Sequence, residues 1–207
     1  MTIPKWLAGR CALLSGSGEA MTIVAGALEN AGAQTHMSAA CPDDDSLIGR
    51  EFDALEAAGG ADILLHSGVA GSAAPSHSID LEAWRLHVSA DIDLRFMQSA
   101  EFARRCIAAG RAGAILFLMP SPAPRAGRVG DATIIGAMDN LVKSLSVEWA
   151  RDGIRVNAIA SFACEDGARR TPEIGESLGN LAAYLLSDYG AYISGMVMGV
   201  DETEAQN

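Results

Sequence analysis

Lysine is almost absent from this chain: Lys5 and Lys143 are the only two in 207 residues, and no tyrosine occurs before Tyr184. Aromatic residues make up only 5% of the sequence, so the interior has to be built from small and aliphatic side chains, which suits helices packed closely on a sheet. Basic charge is scarce as well. Fifteen Lys and Arg face 26 Asp and Glu, for a net charge of −11. A chain this acidic is repelled by phosphate backbones and anionic lipid, which argues against nucleic-acid and membrane partners. The longest apolar run, "AILFLM" at 114–119, is too short to span a bilayer. The opening "MTIPKWLAGR" shows neither an apolar signal core nor a cleavage site, so the expected location is the cytoplasm. Cysteine is sparse too: Cys11, Cys41, Cys106 and Cys164 are far apart and form no CxxC, which reads as free thiols in a reducing compartment. His36, His66, His77 and His87 do not fall at metal-ligand spacing, so no metal site is expected.

Hydrophobic residues make up 49% of the chain, enough to exclude disorder and to fill one core. Residues 1–207 read as a single domain without repeats or a linker. Short apolar runs alternate with amphipathic ones. Strands are predicted at 10–15, 33–40, 61–67, 112–119, 154–160 and 194–201. Helices are predicted at 21–32, 47–60, about 80–109, 131–151 and 171–190, the last with Pro172 in its first turn. This alternation implies an α/β fold: a doubly wound, mainly parallel, Rossmann-like sheet of about six strands covered on both faces.

Three stretches carry a more specific signal: "ADILLHSGVAG" (61–71), "SLSVEWARDGIRVNAIA" (144–160) and "LAAYLLSDYGAYISGMVMGVD" (181–201), the last with its Ser194-Gly195 turn. In these the chain resembles the short-chain dehydrogenase/reductase superfamily over nearly its whole length. The resemblance implies a nicotinamide-binding fold and an oligomeric assembly; function has to be argued from the site. It also implies that one strand–helix unit is missing after the second strand, and that the substrate lid is shortened.

Members of that family hold the dinucleotide pyrophosphate on a glycine-rich turn, with a helix N-terminus aimed at it. Here the turn reads Ser15-Gly16-Ser17-Gly18-Glu19-Ala20-Met21-Thr22. Gly16 matches, while two family glycines fall on or near Ala20 and Thr22. Side chains there take up space that phosphates need, and Glu19 adds a negative charge where a dianion would sit. The remaining G-x-G is a weak signal by itself. A structural turn and a working dinucleotide site both stay open, the first favoured. Asp43, Asp44 and Asp45 stand where an acid would hold a ribose, or form a solvated acidic loop.

The family's catalytic set is a Tyr-x-x-x-Lys pair, a Ser before it and an Asn on the preceding long helix, the Tyr moving the proton. Gapless alignment from "GIRVNAI" places the Tyr position on Asp131 and the Lys position on Ile135. The Asn position falls on Ser89, and the Ser position on Pro120 or Ser121. Lys143 lies eight residues beyond Ile135, roughly 12 Å along a helix, and cannot substitute. Tyr184, Tyr189 and Tyr192 belong to the C-terminal end. Ser161-Phe162 replaces the family's Pro-Gly turn, and only a short link follows where a lid would close over substrate.

What persists is the set of surfaces through which the family assembles: the long helix, the helix after it, and the closing helix and strand. On the 131–151 helix, Ile134, Met138, Leu141 and Leu145 form a sheet-facing stripe. Ile135, Val142 and Trp149 form a second one, readable as a wide core face or as a partner surface. The resemblance therefore points to a degenerate member with no catalysis and no cofactor of its own. It would serve as a non-catalytic subunit beside an active homologue carrying NAD(H) or NADP(H), in a hetero-oligomer that is a dimer of dimers. The arrangement is similar to the two-subunit dehydrogenase for 2-(hydroxy(phenyl)methyl)succinyl-CoA, in which one subunit is inactive. Arg125, Arg128, Arg169 and Arg170 read as solvated loop arginines or phosphate contacts. Two other readings remain. One is cofactor-independent chemistry (dehydratase, dehalogenase or isomerase) using Asp131, Ser121, Ser89 or His66. The other is a non-catalytic nucleotide-binding sensor.

Overall fold

A computed structural model describes residues 5–40, 45–68, 76–120, 129–161 and 171–200. Asp43, Asp44, Ser121, Arg125, Arg128, Arg169, Arg170, Cys41 and Cys164 lie outside the described residues. Strands β1 (Cys11–Ser15), β2 (Gln34–Met37), β3 (Ile63–Ser67), β4 (Gly113–Pro120), β5 (Ile154–Ser161) and β6 (Val197–Val200) form one sheet in the order β2-β1-β3-β4-β5-β6. Every neighbouring pair is parallel. The helices are α1 (Glu19–Asn30), α2 (Asp45–Ala57), α3 (Leu81–Ala109), α4 (Val129–Glu148) and α5 (Pro172–Leu186). The doubly wound α/β architecture read from the sequence is the one observed.

Parallel strands need a crossover between them, and the helices that make it cover both faces. The strand sequences divide accordingly. Leu13, Leu64, Ile115, Phe117, Val156 and Ala158 face α2, α3 and α4, together with Phe52, Phe102, Met138 and Val142. Leu14, Ile63, Leu65, Leu116 and Leu118 face α1 and α5, together with Val24, Leu28, Leu178 and Ala182. Between α1 and α5 the spacing is close enough that a Cβ on Gly179 would come within 2.7 Å of the Ala27 methyl. The scarcity of aromatics is what makes this approach workable.

Several predicted boundaries move for identifiable reasons. Strand β2 covers 34–37 rather than 33–40: it is an edge strand paired only with β1, and most of its side chains are exposed. No further strand lies between β2 and β3 among the described residues. Helix α3 starts at Leu81 because Asp80 caps it, accepting from the Ala83 amide at 2.7 Å. Helix α4 starts two residues before the expected 131 and gives way at 150–152 to a 3₁₀ turn closed by left-handed Gly153. Helix α5 spans 172–186 rather than 171–190: Thr171 caps its start and Ser187 ends it.

The two stripes expected on α4 are one. Ile134, Met138, Val142, Leu145 and Trp149 are all buried. Val142 and Trp149 are therefore part of the core, leaving Leu141 partly buried and Ile135 half-buried. Among the exposed large apolar side chains, Leu81, Leu86, Phe96, Met97 and Ile107 lie on α3.

The motif "IRVNAI" is explained by the corner between α5 and β6. The Arg155 guanidinium donates to the carbonyls of Leu185 (2.5 Å), Gly190 (3.0 Å) and Ser187 (3.1 Å). Asn157 donates to the Ile193 carbonyl at 2.8 Å and accepts from the Met196 amide at 3.1 Å, as a strand neighbour would. Gly195, at φ 80°, brings the turn so near α4 that a Cβ would lie 2.7 Å from the Ser146 hydroxyl. Replacing Arg155 by Met removes the donor from three partly buried carbonyls. The expected cost is about 2–3 kcal/mol in urea unfolding, while Arg104→Met, on the exposed side of α3, changes stability by less than about 0.5 kcal/mol.

Candidate functional site

In an open parallel sheet, ligands bind beyond the C-terminal ends of the strands, where the chain order reverses. Here the reversal lies between β1 and β3, so the turn 15–18 and the end of β3 at Ser67-Gly68 border the crevice. Ser15 is buried and in register with His66. Gly16, at φ 105°, packs so tightly on β3 that a Cβ would overlap the Ser67 carbonyl oxygen. Its retention is therefore explained by the backbone alone. Gly18, at φ 102°, is the N-cap of α1 and faces open space.

The first turn of α1 carries the sequence's departures from a phosphate cradle. Glu19 is its first residue and its acidic group. Ala20 is half-buried against the α1–α5 core, and Thr22 is exposed, its hydroxyl donating to the Gly18 carbonyl at 3.2 Å. Two positions that must lie bare beneath a pyrophosphate bear side chains, and a carboxylate stands at the positive end of the helix dipole. These residues do not fit a dinucleotide pyrophosphate. Asp45 opens α2.

The positions matched to the family's catalytic set come from three elements. Ser89 is half-buried on α3, Pro120 ends β4, Asp131 is in the first turn of α4 and Ile135 is half-buried one turn later. An isoleucine can neither lower a neighbour's pKa nor bind a ribose. Lys143 is engaged with Asp139 at 2.6 Å on the exposed side of α4. Trp6 packs against Tyr184 and Tyr189, with ring centroids 6.3 and 5.5 Å away, on the α5 side of the molecule. Among the described residues, no group of three or more His, Cys, Asp or Glu is placed to hold a metal. Cys11 and Cys106 are free thiols. No helix among them is long and apolar enough to cross a membrane.

The sequence reading missed most of a buried polar cluster between β3 and α3. It named His66 but not Asp91, Arg95, Gln98 or Ser99, all of them buried. Arg95 is wholly enclosed; its Nε donates to Asp91 Oδ1 at 2.9 Å, and its guanidinium carbon lies 5.9 Å from the Phe117 ring centre. Gln98 donates to the Ser38 hydroxyl at 2.9 Å, and Ser38 donates to Glu51 of α2 at 2.6 Å. The available signal was the i,i+4 pair Asp91–Arg95 within "DIDLRFMQS", which periodicity alone reads as a solvated face. Burial, reinforced by the charge on Arg95, pushes the His66 imidazole down to about 3, against smaller opposing effects of Gln98 and the Ser67 backbone. His66 is thus neutral at physiological pH.

At the opposite edge of the sheet, a groove of about 330 Å³ is lined by Arg10, Asp62, Arg155 and Asp188. Its charges are already committed: Arg10 pairs with Asp188 at 2.7 Å and Asp62 at 3.8 Å, and Arg155 clamps the α5–β6 corner. It is a structural feature.

The sequence profile of the family described as enoyl-(acyl carrier protein) reductase matches residues 18–176. An uncharacterized oxidoreductase of Caenorhabditis elegans is 25% identical over 76% of this chain and 59% of its own length. The cis-4-hydroxycyclohexanecarboxylate dehydrogenase of Sinomonas cyclohexanicum is 28% identical over 77% of this chain and 72% of its own. The chain thus spans under two thirds of the first relative. Among solved structures, a short chain dehydrogenase from Mycobacterium smegmatis superposes with a TM-score of 0.86 at 17% identity, covering 99% of this chain and 97% of that one. The 3-ketoacyl-(acyl-carrier-protein) reductase of Brucella melitensis, complexed with NADH, gives 0.81 at 20% identity over 94% and 98%. At these identities the likeness is one of fold.

Two measurements follow from this geometry. Gly16→Ala is expected to lower stability by roughly 2 kcal/mol or more, through positive-φ strain and the clash with β3, without any nucleotide present. For His66, the folded-state value of about 3 lies below the unfolded 6.5, so the unfolded chain takes up the proton first. Its contribution is therefore fully present above pH 6.5 and is lost as pH falls toward 3, at about 1.4 kcal/mol per pH unit. Unfolding free energies of wild type and His66→Leu, compared from pH 7 to pH 4, should diverge with that slope; parallel curves would show that His66 does not titrate this way.

Proposed function

The chain belongs to the short-chain dehydrogenase/reductase superfamily and has the fold of its oxidoreductases, and we propose that it is a non-catalytic subunit assembling with an active NAD-dependent homologue. The observation that carries this reading is Ile135. The position matched to the lysine that activates the proton donor holds an aliphatic side chain, and no other lysine lies within reach. Asp131 at the tyrosine position and the side chains on the first turn of α1 point the same way. Three functions lost together (nucleotide cradle, proton donor and lid) are more economically explained by relaxed need for chemistry than by three separate innovations.

Helix α3 supports the assembly half of the reading. Phe96 and Ile107 are 44% and 46% exposed, and with Ala100, Ala103, Leu145 and Trp149 they line a groove of about 570 Å³ between α3 and α4. Arg104 and Glu148 also line it, and the exposed Phe96 and Ile107 support a protein–protein contact here. The partner supplies NAD(H) or NADP(H) and the chemistry; this chain supplies a self-like surface that completes a dimer or a dimer of dimers. Free Cys11 and Cys106 are consistent with a reducing, cytoplasmic setting.

The test is native mass spectrometry of the protein purified gently from its source, with titration of the isolated chain by NADH followed by fluorescence. The expected result is a mixed complex with an intact dehydrogenase, one nucleotide per partner chain, and no saturable NADH binding by the isolated chain. A homo-oligomer that binds its own nucleotide and reduces a carbonyl substrate would overturn the reading.

A further inference from the structure

The polar cluster under the end of β3 is incompletely paired. Arg95 is fully enclosed, yet neither Nη1 nor Nη2 has a hydrogen-bond partner among the described residues; only Nε is bonded, to Asp91. Both His66 ring nitrogens, Gln98 Oε1 and the Ser99 hydroxyl are also buried without a geometric hydrogen bond. Buried polar groups in folded proteins are ordinarily satisfied, and a charged group pays the largest desolvation penalty when it is not. Six such atoms, on side chains at adjacent positions of β3 and α3, mark a place built to be completed by something polar.

The geometry indicates what that is. Asp91 holds Nε and thereby the plane of the guanidinium, and Phe117 lies against it at 5.9 Å. The fork is fixed, and its two free Nη groups are side by side, the arrangement that receives two oxygens of one oxyanion. Gly68 bounds the site where β3 leaves the sheet. A Cβ on it would overlap Arg95 Nη2 and come within 2.8 Å of Asp91 Oδ1, so glycine is required for the guanidinium to reach the strand end. That end belongs to the C-terminal edge of the sheet, where open α/β folds take ligands. The cluster lies on the α3 face, whereas the nucleotide turn of the fold begins at Gly16 and runs into α1 on the other face.

We propose that Arg95 is the anchor of an oxyanion-binding site, receiving the carboxylate or phosphate group of a small ligand at the end of β3. His66, Gln98 and Ser99 supply the neighbouring polar atoms. The site does not depend on the assembly reading above: a chain that proved to be a homo-oligomer would still carry it, and a non-catalytic subunit would use it to sense or hold a small acid.

The test is thermal unfolding of the full chain at constant ionic strength, with sodium phosphate or sodium acetate replacing sodium chloride. The expected result is a saturable rise of the midpoint with at least one of the two oxyanions, phosphate alone indicating a phosphate ligand and acetate indicating a carboxylate. In Arg95→Met the binding constant is expected to fall about 10- to 100-fold, while Arg104→Met, whose side chain is 68% exposed on the same helix, keeps it. No saturable rise with either anion, or an equal rise in Arg95→Met, overturns the proposal. Should Arg95→Met not fold, wild-type protein labelled with ¹⁵N-arginine gives the same answer. Guanidinium resonances of Arg95 must shift saturably with phosphate or acetate, and unmoved resonances overturn the site.

Discussion

Parallel strands cannot be joined by tight turns, and that single constraint organises the molecule. Each of the first five strands has to be followed by a crossover to the next, and five helices supply those crossovers while burying both faces of the sheet. Because all strands run the same way, their C-terminal ends collect on one edge, and the loops that leave them are brought together there. The crevice at Ser15-Gly16 and Ser67-Gly68, the end of β4 at Pro120 and the start of α4 at Val129 share that edge because of strand direction, whatever chemistry they retain or lose. The opposite edge gathers strand starts and helix ends, and its polar groups, Arg155, Asn157 and the Arg10–Asp188 pair, are used to fasten the α5–β6 corner.

This constraint also explains what could be read from the sequence. Leu13-Leu14, Ile63-Leu64-Leu65 and "AILFL" are nearly continuous apolar runs, as two-sided burial demands, so the strands and the doubly wound fold were legible without coordinates. The helices were legible too, the last from Pro172 in its first turn, while the caps at Asp80 and Thr171 came from the structure. Boundaries at the rim were less so. Edge strand β2 keeps only four residues because a single neighbour pairs with it, a fact of the strand order and not of "AQTHMSAA" itself. The two stripes assigned to α4 merged because helix–sheet contact is wider than one heptad position: Val142 and Trp149 fall within it, while Ile135 and Leu141 remain half-covered.

Which residue type stands at a position such as Ile135 is a matter of sequence alone, whereas the polar cluster depends on which residues meet. The meeting of His66, Arg95, Gln98 and Ser38 joins a strand, a long helix and a loop after another strand, separated by up to 60 positions. Asp91 and Arg95 carry the charges of a solvated helix face. What puts them inside is that α3, 29 residues long, lies over β3 and β4 between α2 and α4, so that its inward face meets whatever the strands below present. At His66, β3 presents an imidazole where Leu64, two residues earlier, presents an aliphatic group to the same helices.

The energetics of the cluster are those of a buried ion pair. Replacing both Arg95 and Asp91 by apolar side chains of matching volume is the change such pairs commonly tolerate, whereas removing Arg95 alone leaves a buried carboxylate unpaired. Three separate residues must agree for the guanidinium to fit: Asp91 to hold Nε, Phe117 beside its plane, and Gly68 to leave room at the strand end. A core that only packs needs no such agreement. The cluster is therefore not accounted for by packing, and it stands on the same sheet edge as the turn at Gly16 without depending on how that turn is used.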